Sequence, residues 1–113
     1  MDAFVQPLYE LADFDAIIRQ LKKPGIVQVS GCLDSQKAHF TNGLLREFPF
    51  RLIVAENDLK AKAFYEDFRL YDPEVLYYPA RDLIFYQADV HGNEITRERI
   101  RSLRRLIEGR PMT

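Results

Sequence analysis

The sequence predicts an α/β fold, a parallel sheet flanked by helices, built as a degenerate phosphate-loop (P-loop) NTPase-like domain. Three observations predict it. Short apolar runs at residues 26–30, 51–55 and 74–78 alternate with stretches of helical period, the order in which crossover helices cover a parallel sheet. Arg51-Leu52-Ile53-Val54-Ala55 is apolar on both faces of a pleat, as strands buried on both sides are. Residues 26–38 then have the outline of a strand, a phosphate loop and a helix.

Each element has a local justification. A first helix starts after Asp13, whose carboxylate can cap the first amides, carries Phe14, Ile17, Ile18 and Leu21 on one side, and stops at Pro24-Gly25. Strand one follows at once. The second helix begins near Ser35, with Ala38, Thr41, Leu44, Leu45 and Phe48 on the inward arc and His39, Asn42, Gly43 and Arg46 facing solvent. Pro49 ends it, and residues 51–55 form strand two. Asn57 and Asp58 cap a third helix with Ala61, Phe64, Phe68 and Tyr71 in one stripe and Leu59, Ala63 and Leu70 in another, terminated by Asp72-Pro73. Residues 74–78 read as strand three, after which Pro79 withholds one ladder hydrogen bond.

Residues 80–92 break the pattern and read as a loop packed by its aromatics, with an extended piece at 83–86. The last helix is expected from Asn93 or Glu94 to Glu108, with Ile100, Leu103, Leu106 and Ile107 inward, Gly109 just past its end and Pro111 beyond. Met112-Thr113 reads as the start of another strand. A crossover helix must deliver the chain to a next strand, so the expectation is one α/β domain, residues 1–113, of a longer protein cut near Thr113.

Composition bounds the function. A chain of 113 residues with 47% hydrophobic content can bury one core. Its net charge of −1, from 16 Lys+Arg against 17 Asp+Glu, supplies no long-range attraction to nucleic acid or anionic lipid. Cys32 is the sole cysteine, which excludes an internal disulfide and agrees with a reducing, cytoplasmic setting. No signal-like N-terminus is present, and no apolar run approaches the roughly 20 residues that cross a bilayer, so no membrane is expected.

The residues that would carry chemistry are few. A working phosphate loop reads G-x-x-x-x-G-K-[ST], since backbone N–H groups close around phosphate, Lys reaches the terminal phosphates and a hydroxyl holds Mg²⁺. Gly31 and Lys37 fit that pattern, whereas Gln36 places a side chain where backbone should touch phosphate and Ala38 offers no oxygen. Asp34 adds a negative charge beside the anion. The loop is therefore read as vestigial and non-binding, with no catalytic residue, no cofactor and no metal site. Tyr77, Tyr78, Phe85 and Tyr86 could stack on bases, but aromatics at a strand end are read as packing. His39 and His91 are too isolated for a metal, Cys32 lacks a base, and Asp82 and Asp89 are read as turn formers. Arg97, Arg101, Arg104 and Arg105 form the polar arc of the last helix, Arg104 pairing with Glu108 one turn on; this arc is the candidate contact with a neighbouring domain.

Five segments in order carry a resemblance: strand one with its Gly31 to Ala38 loop; the run to Ala55 followed by Asn57-Asp58-Leu59-Lys60-Ala61; Tyr65-Glu66-Asp67-Phe68; Val75-Leu76-Tyr77-Tyr78-Pro79-Ala80-Arg81-Asp82; and the arginine-rich stretch from Arg97 to Leu106. Together they resemble the start of the bacterial transcription-repair coupling factors (Mfd), whose first part is similar to the excision-repair helicase UvrB with its phosphate loop degraded. The resemblance implies a non-catalytic scaffold domain. Its parent would be an ATP-dependent DNA translocase that releases RNA polymerase stalled at lesions and recruits nucleotide excision repair through UvrA, with ATP and Mg²⁺ held in motor domains elsewhere. Partners would be the remaining domains of the same chain and, for the parent, RNA polymerase, DNA and UvrA. The span between Pro79 and Asn93 leaves no room for the tyrosine-rich hairpin with which UvrB grips DNA. Two rivals remain from the residues alone: a small P-loop-type nucleotide-binding enzyme with an atypical loop, marked by saturable ATP binding, and a stand-alone nucleic-acid binder, marked by salt-sensitive affinity.

Overall fold

A computed structural model of the chain describes residues 3–80 and 89–113, the side chains of 89–92 excepted. Among these residues the regular structure is helical: a 3₁₀ turn at Gln6–Glu10, then α1 (Phe14–Leu21), α2 (Asp34–Leu45), α3 (Asp58–Phe68) and α4 (Asp89–Ile107). They contain no strand and no sheet, which overturns the expected parallel α/β architecture. The chain divides into two compact units, Met1–Phe48 and Pro49–Thr113.

The first unit is organised by a turn that the sequence pattern does not announce. Pro7 lies in the first turn of the 3₁₀ segment, where its missing N–H costs nothing. Successive backbone bonds from Leu8 to Val5, Leu11 to Leu8 and Phe14 to Leu11 (3.0, 3.1 and 3.1 Å) lead directly into α1. Asp13 stands at the N-cap as expected but makes no side-chain cap bond. Val5, Leu8 and Phe14 are buried together, with Ile18, Phe40 and Leu44 packed around them. Phe14 meets Tyr9 and Phe40 edge-on, with ring centroids 5.1 and 5.6 Å away. Such pairs add to the roughly 1.5–3 kcal/mol gained by burying a phenylalanine.

This core shifts the buried face of α2: Ala38 and Leu44 lie inward as expected, and Asn42 and Gly43, expected in solvent, are buried beside them. Ala38, Asn42 and Gly43 are its buried residues, because the absent side chain of Gly43 admits Leu8 and Phe14 against the helix backbone. His39, expected in solvent, is half-buried and hydrogen-bonds the Phe4 carbonyl.

In the second unit Asn57 caps α3 as expected, its Oδ1 accepting the Lys60 N–H at 2.9 Å. Asp58 does not cap. Phe68, 0% exposed, is the centre of the unit, stacked on Phe64 at 5.8 Å with the Arg51 guanidinium 5.9 Å from its ring. The helix ends there, so Tyr71 falls in a turn closed by Asp72 N–H to the Phe68 carbonyl (3.0 Å) rather than on the predicted stripe. Asp72 organises the neighbourhood: it pairs with Arg51 at 2.8 Å, accepts the Thr113 hydroxyl at 2.7 Å and caps the Glu74 N–H at 3.1 Å.

Helix α4 begins earlier than expected, absorbing residues 89–92 that read as loop. It ends as expected, with Gly109 at φ +67°, the left-handed conformation that closes helices. Its expected inward face is left largely uncovered. Ser102 is buried and Arg99 half-buried, whereas Ile100, Leu103, Leu106 and Ile107 are all exposed, Ile107 to 86%.

The three expected strands fail for one reason. Residues 26–30, 51–55 and 74–78 carry no helix and no ladder, since an extended run becomes a strand only when a neighbour pairs with it repeatedly. The sole pairing among the described residues is one isolated parallel bridge between Phe50 and Met112.

Candidate functional site

The loop before α2 is the first candidate, and its side chains are engaged with one another and with its backbone. Gly31 takes φ +89°, a conformation that suits glycine, and Leu33 stands extended at the N-cap. Leu33 has no oxygen to give the helix. Gln36 instead folds back, its Oε1 accepting the Leu33 N–H at 3.1 Å, while its own N–H meets the Leu33 carbonyl at 2.9 Å. Lys37 lies 2.6 Å from Asp34 Oδ1, and that hydrogen bond, with the carboxylate's charge, holds its ammonium above the usual lysine range. Ala38 is 2% exposed, its methyl in the first unit's core. Cys32 is a free, half-buried thiol. Chemically the loop offers an anion a carboxylate, a carboxamide oxygen and a lysine already engaged.

The aromatic and basic residues of the second unit are likewise engaged. Tyr77 donates to Asp58 at 2.5 Å and Asp58 also accepts the Ala80 N–H at 3.2 Å. Burial, then the Asp58 hydrogen bond and charge, push the Tyr77 phenol up to about 12; the Tyr77 hydroxyl and the Ala80 N–H lower Asp58. Tyr78 is covered by Arg99, whose guanidinium lies 4.1 Å from the ring and donates to the Pro79 carbonyl at 2.9 Å. Phe85, Tyr86, Arg81 and Asp82 lie outside the described residues, as do the side chains of Asp89 and His91. The expected Arg104–Glu108 pair is present at 3.1 Å. Arg105 binds Glu74, so it is tied within its own unit, while Arg97 and Arg101 remain exposed on α4.

One feature of this unit was not legible in the sequence. Residues 51–55, residues 75–78, α3 and α4 enclose a groove of about 310 Å³ lined chiefly by apolar groups, among them Ile53, Phe64, Phe68, Leu103 and Leu106. Met112 and Thr113 also line it. The chain matches no protein-family model, no curated protein and no solved structure. Among the described residues no group of three or more His, Cys, Asp or Glu could hold a metal, and no helix is long and apolar enough to cross a membrane.

Proposed function

We propose that this chain is a non-catalytic scaffold and interaction module, in the role that its resemblance to the opening domain of transcription-repair coupling factors implies. The polymerase-releasing, UvrA-recruiting and ATP-driven activities of such a protein belong in this reading to other parts of it. The observation that supports the reading is the state of the loop before α2. Gln36 occupies the Leu33 N–H, Asp34 holds Lys37, and the position that should offer a magnesium ligand is a buried methyl. A triphosphate would have to displace both interactions and would meet the Asp34 carboxylate in return, with no residue left to organise phosphoryl transfer. Titration with a fluorescent ATP analogue in the presence of Mg²⁺ tests this. No saturable signal is expected; saturation at low micromolar concentration, abolished by Lys37→Ala, would overturn the proposal in favour of a nucleotide-binding enzyme.

A further inference from the structure

Met112 and Thr113 lie between two extended segments of the second unit. On one side the Met112 N–H donates to the Pro49 carbonyl at 2.9 Å and its carbonyl accepts the Arg51 N–H at 3.0 Å; on the other the Thr113 carbonyl accepts the Leu76 N–H at 2.9 Å. The bridge to Phe50 is parallel. Past Thr113 the same two segments continue as the walls of the apolar groove. There the N–H groups of Ile53, Ala55 and Tyr78 and the carbonyls of Arg51, Ile53 and Leu76 have no hydrogen-bond partner among the described residues. Two walls that each stand one strand spacing from the same residues are about 9–10 Å apart, the width of one strand.

We infer that this groove binds an extended apolar strand of polypeptide that enters beside Thr113 and runs parallel to both walls. On the Phe50 side the register follows from the parallel bridge, and on the other it is set by continuing the Thr113–Leu76 bond in the same sense, with the alternation of a parallel ladder. The strand's first residue meets the Arg51 carbonyl and the Ile53 N–H. Its second meets the Leu76 carbonyl and the Tyr78 N–H, and its third the Ile53 carbonyl and the Ala55 N–H. Phe64, Phe68, Leu103 and Leu106 on α3 and α4 make the lining apolar, so a charged side chain facing them would be buried unpaired, and valine or isoleucine suits both the lining and the extended backbone. A compact ligand would leave the two rows of backbone groups unmet. This recognition mode is strand addition, with main-chain bonds giving affinity and alternate side chains giving selectivity. It is independent of the proposed function, since nothing in it involves the loop before α2.

The strand can be supplied as an extension of the whole chain after Thr113. Val-Thr-Val-Thr-Val and its one-residue shift Thr-Val-Thr-Val-Thr present valine to opposite faces; Pro-Thr-Pro-Thr-Val removes the donors aimed at Arg51 and Ile53. Amide hydrogen exchange at Ile53, Ala55 and Tyr78 is the readout, with sedimentation reporting mass. At least one of the first two extensions should slow exchange at these amides about tenfold or more relative to the unextended chain, and the proline extension should not. Equal exchange in all four proteins would overturn the inference. So would an unextended chain that is dimeric with the three amides already protected, because a second copy would then fill the groove.

Discussion

Replacing Gly43 by alanine sets two effects of opposite sign against each other, and the structure decides between them. In the interior of a helix, alanine is favoured over glycine by about 1 kcal/mol. At this position, however, an added Cβ would lie 2.4 Å from Leu8 Cδ1 and 3.1 Å from Phe14 Cζ, against the roughly 3.5–4.0 Å that carbon atoms prefer. Leu8 would have to retreat by about 1 Å or more. It has little room, since Leu8 shares a buried cluster with Val5 and Phe14 and the ring of Phe14 closes the other side. Overpacking a well-filled core costs about 1–3 kcal/mol, and a contact this short belongs in the upper half of that range. Subtracting the helix preference leaves a net destabilisation of about 1–2 kcal/mol. Urea unfolding followed through the amide signals of α1 and α2 reads the first unit by itself. A double-mutant cycle with Leu8→Ala supplies the control: the cavity left by Leu8 should accept the new methyl, so the two changes together should cost at least 1 kcal/mol less than their sum. If Gly43→Ala stabilises the unit, or the cycle shows no coupling, the packing argument for the face of α2 is wrong.

Two further outcomes are expected. Because the folded Tyr77 phenol is raised to about 12 from 10.0, it favours folding below the ordinary phenol range. That contribution should disappear as pH rises from 10 to 12, visible as one late tyrosine in an absorbance titration at alkaline pH and absent in Tyr77→Phe; a late step that survives this substitution refutes the assignment. Asp72→Ala should cost about 2–3 kcal/mol in urea unfolding of the second unit, since it leaves the half-buried Arg51 without its 2.8 Å partner and releases Thr113 and Glu74. Asp72→Asn, which keeps acceptors but not charge, should cost less.

Helix limits were legible where a local chemical signal decides them. Phe14 at the start of α1, Asn57 before α3 and Gly109 after α4 sit within a residue or two of where capping and termination rules put them. Helix faces were legible in α1 and α3, where Phe14 and Ile18, and Phe64 and Phe68, pack inward as their spacing puts them, but not in full in α2. In α2 the buried positions are Ala38, Asn42 and Gly43, which carry almost no hydrophobic signal, and the partner that selects them is a 3₁₀ turn with no periodicity to read. In the phosphate-loop outline the sequence supplied the residue types but not their pairing: that Gln36 closes on Leu33 and Lys37 on Asp34 depends on where the helix starts.

The missing strands and the exposed stripe of α4 have a common physical root. Leu52 and Val54 are 88% and 82% exposed, and Ile100, Leu103, Leu106 and Ile107 of α4 are exposed as well. β-branched and apolar residues prefer a pleated, half-buried surface, but that preference fixes only the backbone, not the neighbour. Between residues 51–55 and 75–78 the neighbour present is Met112-Thr113, whose pairing consists of one bridge and a bond to Leu76. Pairing that short cannot repeat, so extended segments with strand-forming sequences stay unpaired and the helix side chains chosen to cover them stay uncovered. An occupant of the groove would supply both deficits at once, which is why protection of Ile53 and Tyr78 and burial of Leu103 and Leu106 should rise together when one is provided.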